Sequence, residues 1–244
     1  MDKRLKLAGL VIEIHTLFDS IANTAEYETA EPPDFSVSIT AQDIAAEKRK
    51  SMSECAYEGI EYPNYSPAAL ENTAVYRKIA EKLPEYDALV FHGSAVAVGE
   101  KTYLFTAKSG TGKTTHTGLW LKNIEGSYVV NGDKPILRIM DGKPFVCGTP
   151  WMGKEGYGCN KNVPLSAICF VNRETENRIE KTEFQKIYPR LIGQSYRPES
   201  GPLVAKTVML LERIGACVPI YELFCNMEDE AAAVSFRGMS DEKI

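Results

Sequence analysis

Apolar and polar positions recur along this chain with periods that name its elements. Phe35-Ser36-Val37-Ser38-Ile39 alternates strictly, as a half-buried strand does, and the β-branched and aliphatic run Lys6 to Leu17 predicts another strand. A Thr/Ala/Glu-rich connection ending in Pro32-Pro33 separates them. Ala41 to Glu54 follows as a polar helix, then a loop holding Gly59, Pro63, Asn64 and Tyr65. From Ser66, with Pro67 in its first turn, Leu70, Val75, Ile79 and Leu83 recur at helical spacing until Pro84 stops them. These elements predict a small N-terminal α/β segment over residues 1–85.

The remainder, residues 86–244, carries most of the sheet. Ala88-Leu89-Val90-Phe91 opens a β-prone stretch through Val98, Gly99-Glu100 turns it, and Thr102 to Thr106 returns as the next strand. Tyr128 to Val130, Ile136 to Met140, Phe145 to Cys147 and Leu165 to Val171 predict further strands, with Asp141-Gly142 as a hairpin turn. Thr182-x-x-Gln185 has the form of a capping box opening a helix that Pro189 must kink or shorten. Pro202 to Ile214 is a helix closed by Gly215, Ile220 to Phe224 a strand, and Asn226 the cap of a final helix. Strands interleaved with helices make the chain α/β, with a mixed sheet flanked by helices.

Composition adds exclusions. A hydrophobic content of 44% supplies a continuous core, and a net charge of -5 argues against broad nucleic-acid binding, which needs clustered Lys and Arg. Lys6 and Glu13 interrupt the first apolar stretch, so neither an export signal nor a membrane span is expected there, which predicts a cytoplasmic protein. The six cysteines form no C-x-x-C pair, so a structural zinc site is not expected; Cys169 and Cys217, beside apolar runs, are expected in the core.

The chemistry concentrates in Ala107-Lys108-Ser109-Gly110-Thr111-Gly112-Lys113-Thr114, directly after a predicted strand. It has the phosphate-loop pattern, with Ala where the first glycine usually stands. Phosphate oxygens must approach backbone N–H groups closely, and Gly110 and Gly112 permit the dihedrals that allow it. Ser109, Gly110, Thr111, Gly112, Lys113, Thr114 and Thr115 are therefore the expected nucleotide contacts, with ATP and Mg²⁺ as cofactors. Lys113 would serve the β and γ phosphates and Thr114 would give Mg²⁺ a hydroxyl ligand. Tyr128-Val129-Val130-Asn131-Gly132-Asp133 delivers a carboxylate after a strand, a second metal-side candidate, although Asn-Gly-Asp is also good turn composition.

Phe91-His92-Gly93-Ser94-Ala95-Val96, the loop Ser-Gly-Thr-Gly-Lys-Thr-Thr-His, and Asn131-Gly132-Asp133-Lys134-Pro135 together resemble the HPr serine kinase/phosphorylase family, which shares a nucleotide fold with phosphoenolpyruvate carboxykinase. The resemblance spans roughly residues 91–171. It implies a P-loop kinase core in residues 86–244, a catalytic neighbourhood made by Lys113, Asp133 and His92, and transfer of the γ-phosphoryl of ATP to a hydroxyl of a protein or peptide serine or of a small molecule. One departure stands out: the family uses two adjacent aspartates after this strand, whereas here the pair is Gly132-Asp133, so Asp133 either takes both roles or shares proton acceptance with His92.

Other candidates are weaker. The stretch Gly148 to Lys154, continuing to Lys161, has the composition of a lid or substrate contact, or of a surface connection; Arg173 and Arg197 are candidate phosphate clamps or solvated surface charges; His116 and Trp120 read as packing or flanking residues. Two rivals to phosphotransfer remain at this stage. One is a nucleotide-dependent switch or ATPase that binds a protein partner, the other a carboxylyase, disfavoured by a short chain without an evident His/Asp manganese cluster.

Overall fold

Ala8 and Gly9 both hold positive φ, at 53° and 77°, and this turns the run from Lys6 to Leu17 back on itself. In the computed structural model, which describes residues 1–108 and 110–240 (of Glu58, the backbone alone), that run is two strands rather than one: β1 (Asp2–Leu7) and β2 (Leu10–His15) pair antiparallel across the turn. Alanine is an uncommon residue in the left-handed region, so the turn carries little sequence signal. β3 (Phe35–Ser38) adds parallel to β2, completing a three-stranded sheet.

One helix packs on it and a second packs on that helix. α1 (Ala41–Glu58) opens on a reciprocal cap in which Thr40 and Asp43 satisfy each other's backbone N–H groups. α2 (Pro67–Lys82) is capped by Ser66 and runs into a 3-10 turn at Leu83–Tyr86. Its inward residues Val75 and Ile79 pack with Leu5, Leu7 and Ile12, and the same apolar cluster takes in Ala88, Val90, Ile136, Cys147 and Met152 from beyond residue 85.

The second sheet has nine strands. β4 (Ala88–Val90), β8 (Ile136–Met140) and β9 (Lys143–Cys147) form its antiparallel end; β5 (Ser94–Val98), β6 (Lys101–Thr106) and β7 (Ser127–Asn131) form the other. The expected continuous stretch from Ala88 to Val98 is thus broken: β4 pairs with β8, β5 pairs with β6 and β7, and Phe91 to Gly93 carry the chain between. The long β10 (Asn162–Arg173) joins the two ends, pairing antiparallel with β9 through residues 162–164 and parallel with β6 beyond them. β12 (Ile220–Cys225) lies parallel to β10, and β11 (Arg178–Thr182), which the sequence reading missed, covers its outer edge.

Side chains alternate across this sheet with the strand period of two. Val96, Tyr103, Phe105, Ala167, Cys169 and Val171 face α3 (Lys113–Asn123) and α6 (Glu230–Met239) around Trp120 and Phe236. Ala95, Ala97, Leu104, Ile168 and Phe170 face α4 (Phe184–Gln194) and α5 (Gly201–Cys217). The result is a curled mixed sheet between helical layers, the α/β class expected.

Several expected helix ends move. The Thr182-x-x-Gln185 capping box does not form, because Thr182 is spent as the last residue of β11 and Glu183 precedes α4 without a side-chain cap. α4 continues through Pro189. α5 passes Gly215 and ends at Cys217; a Cβ on Gly215 would lie 2.3 Å from the Phe184 ring, so this glycine is a packing notch and not a stop. Asn226 accepts from the Glu228 N–H in a turn, and Asp229 stands at the start of α6. Cys169 is buried as expected, but Cys217 is exposed at the end of α5. Among the described residues no helix is long and apolar enough to cross a membrane.

Candidate functional site

β6, β10 and β12 are parallel, so the loops after them leave the same edge of the sheet, the edge at which open α/β sheets present ligand crevices. The loop after β6 is the glycine-rich one. Gly110 and Gly112 sit at φ 75° and 116°, and nothing lies within 4 Å of where a Cβ would stand on either. Dihedral strain, not crowding, therefore demands glycine at both. Ser109 lies outside the described residues. Thr111 donates twice to the Lys108 carbonyl, from its N–H at 3.2 Å and its hydroxyl at 2.7 Å.

Gly112 precedes α3, and the His116 N–H closes the first helical bond onto its carbonyl at 2.9 Å. The first-turn N–H groups of Lys113, Thr114 and Thr115 have no carbonyl behind them and form the positive end of the helix. Lys113 Nζ folds back to donate to the Ala107 carbonyl at 3.2 Å, so its ammonium rests on the loop. Burial pushes its pKa down, with Lys134 adding to the effect and Asp133 opposing it. Arg173, a candidate phosphate clamp, stands beside the loop on the cavity it borders and ties the loop down: Nε donates to the Thr111 carbonyl and Nη2 to the Gly110 carbonyl, both at 2.8 Å. Arg197 is exposed and lines neither of the two cavities that Asp133 borders.

Asp133 is positioned by its buried neighbour. The Asn131 Oδ1 accepts from the N–H groups of Asp133 (2.9 Å) and Lys134 (2.7 Å), while its amide donates to the Thr149 carbonyl and hydroxyl at 3.0 Å each. The Asn-Gly-Asp sequence is thus a turn whose tightness aims the carboxylate. Gly132 inside it has no room for a side chain, since a Cβ would stand 2.7 Å from the Met152 carbonyl oxygen. Any side chain there would press on the 150–158 loop, which lies on this backbone.

His92 occupies the crossing between β4 and β5. Three backbone bonds pin that crossing: the N–H groups of Phe91, His92 and Gly93 donate to the carbonyls of Pro135, Gln194 and Asp133. Gly93 again permits close approach, as its Cβ would stand 2.8 Å from the Phe105 carbonyl oxygen. The imidazole Nδ1 lies 2.9 Å from Gln194 Oε1, and Nε2 lies 3.4 Å from Asp133 Oδ1. With the Gln194 oxygen as acceptor, Nδ1 carries the proton and Nε2 turns a lone pair toward Asp133. Burial, and then the charges of Lys134 and Lys113, hold the His92 pKa down at about 4 against the pull of Asp133 and Gln194. A neutral imidazole and a carboxylate thus face one another as two acceptors, a place for a shared proton.

These groups meet in one cavity of about 400 Å³: His92, Gly110, Gly112, Lys113, Thr114, Thr115 and Asp133 line it, along with Gly153, Lys154 and Glu155 from the 148–161 loop. Thr114 and Asp133, the expected Mg²⁺ ligands, are hard oxygen donors on the same cavity, and Mg²⁺ carried on a nucleotide needs only one or two such protein ligands. Among the described residues no cluster of three or more His, Cys, Asp and Glu side chains forms that would hold a metal by itself. The sequence reading included Lys154 in the candidate loop but missed Lys134, Gln194 and Glu155. Lys134 had a signal, adjacency to Asp133; Gln194, over a hundred residues from His92, had none.

No protein-family profile matches the sequence, and no curated protein matches it. Among solved structures, the HPr(Ser) kinase/phosphatase from Coxiella burnetii is similar over 61% of this chain and 95% of its own, at 7% identity and a TM-score of 0.34. No residue-by-residue correspondence follows at that level.

His116 and Trp120 are packing residues. Both are buried, and both reach the Ser235 hydroxyl, at 3.0 Å from His116 Nε2 and 2.8 Å from the indole N–H.

Proposed function

We propose that this chain is a Mg²⁺-dependent phosphotransferase that moves the γ-phosphoryl group of ATP to a hydroxyl. The observation that carries the reading is the convergence of Lys113, Thr114, Thr115, Asp133 and the neutral His92 on one cavity at the N-terminus of α3. When bound, Mg²⁺-ATP supplies a phosphoryl group whose charge is already partly neutralised.

The protein's own groups do the remainder. Backbone N–H groups of the loop and of the first turn of α3 receive the phosphates. Lys113 exchanges the Ala107 carbonyl for the terminal phosphates, a better partner for an ammonium group. Arg173 keeps the loop carbonyls turned away from that anion. The acceptor oxygen bonds to the γ-phosphorus as the bond to the ADP oxygen breaks, and the hydroxyl proton passes to His92 Nε2. Asp133 then balances the imidazolium, which supplies the role left open by the glycine at position 132.

The test is transfer of label from γ-labelled ATP to acceptors, alongside nucleotide binding by calorimetry. Lys113→Met should lower kcat/KM about 10²- to 10³-fold with the fold intact, by analogy with the loss of one charge-stabilising donor. Asp133→Asn should abolish Mg²⁺-dependent transfer. Nucleotide hydrolysis with no acceptor labelled would favour a switch or ATPase, and a full rate in either variant would end the proposal.

A further inference from the structure

A second cavity, of about 520 Å³, opens on the other side of Asp133, between the N-terminal segment and the core. Asp133 and Gly153 line both cavities, so the same carboxylate faces the phosphate loop and this second space. Its wall is aromatic and preformed. Tyr76 stands edge-on to Trp151 and to Tyr196, with ring centroids 5.5 and 6.3 Å apart, and the Trp151 indole N–H is fixed by Asn72 Oδ1 at 3.0 Å.

Two cations line this space, and they differ in how they are partnered. Arg77 is committed to Glu47 and Glu54, at 3.1 and 3.2 Å. Lys134 is partly buried, has Asp133 only at 3.9 Å, and donates no side-chain hydrogen bond among the described residues. An ammonium that keeps 30% of its side-chain exposure, turned into a cavity with its hydrogen-bonding capacity unspent on protein, suits an anion there. Asp133 does not meet that need while it serves the reacting groups on its other side.

We propose that this cavity is the acceptor subsite and that the acceptor is a small organic anion: an alcohol whose carboxylate or phosphate group is held by Lys134 while its hydroxyl reaches Asp133 and His92. The assignment rests on the phosphotransfer reading of the loop. The volume lies in the range of small-molecule sites. Walls drawn from the 21–23 turn, α2 and the 150–153 segment suit a compact molecule rather than an extended peptide. Transfer forms the bond between acceptor oxygen and γ-phosphorus, breaks the bond from that phosphorus to ADP, and leaves the hydroxyl proton on His92 Nε2.

Calorimetry on the full chain, with three probes of similar size, separates this inference from the reading beneath it. Glycerate and glycerol 3-phosphate should bind and neutral glycerol should not; the two anions together distinguish a carboxylate from a phosphate preference. Lys134→Met should weaken anion binding at least about tenfold, the loss of one charge-assisted contact, and Lys134→Arg should restore most of it, which separates charge from structure. Binding of neither anion, or equal binding by Lys134→Met, overturns the subsite even if the loop binds Mg²⁺-ATP. Failure to bind Mg²⁺-ATP with anion binding intact would instead overturn phosphotransfer and leave an anion site. Label passing to serine peptides and to none of the anions would also defeat the proposal.

Discussion

Protonating His116 is costly because the ring is buried, and one hydroxyl fixes which nitrogen would take the proton. Ser235 Oγ spends its single proton on the Ala232 carbonyl, so it must accept from both Trp120 Nε1 and His116 Nε2, which fixes the proton of His116 on Nε2. Its Nδ1 is then a buried lone pair without a partner. Burial holds the His116 pKa at about 4, below that of a free imidazole. The unfolded chain therefore binds more protons than the folded one between about pH 6.5 and 4. Stability falls as pH drops through that window, by about 3 kcal/mol from this residue. Urea unfolding measured at steps across the window should show the slope, and His116→Gln should remove about one proton's worth of it; an unchanged slope would place the titration elsewhere. The packing role of His116 was legible from its place on the helix after the loop. Its partner, 119 residues away, was not.

Elements position the site through close backbone contacts that only glycine permits. Gly132 is one: its missing side chain lets the 150–158 loop lie across the turn that carries Asp133. Gly132→Ala should push that loop away, cost about 1–3 kcal/mol of stability by overpacking, and lower transfer more than nucleotide affinity. Parallel denaturation and kinetic measurements decide it, and wild-type values in both would show that the contact does not matter. Glycine gives the same letter in a turn, a crossing or a helix notch, which is why Gly215 reads as a helix stop in the sequence and is a seat for Phe184 in the fold. The hairpin at Asp141-Gly142, by contrast, was legible because both residues favour the positive φ that the turn uses.

At the scale of the whole molecule, the N-terminal segment is part of the scaffold. Leu5, Leu7, Ile12 and Val75 share a cluster with Ala88, Val90, Ile136 and Cys147, and Arg138 of β8 donates to the Ala8 carbonyl at 2.6 Å. A chain beginning at residue 86 would expose that face of β4 and β8 and lose the wall that α2 gives to the second cavity. Such a fragment should aggregate or unfold well below the melting temperature of the full chain. A cooperative, soluble fragment with the same melting temperature would make the N-terminal segment a separate unit.

Local rules settle what is local. The phosphate-loop composition, the strand that feeds it, the acid after β7 and most helices and hairpins follow from residue type and periodicity within a dozen positions, because dihedral preference and amphipathic spacing act over that range. Which strands become neighbours does not follow. The split of Ala88 to Val98 into strands at opposite ends of one sheet, the pairing of His92 with Gln194 and Asp133, the capture of Arg173 by the loop carbonyls and the second cavity beside Lys134 all join segments far apart in sequence. Those meetings depend on burying two faces of one sheet at once, a condition that only the folded chain imposes.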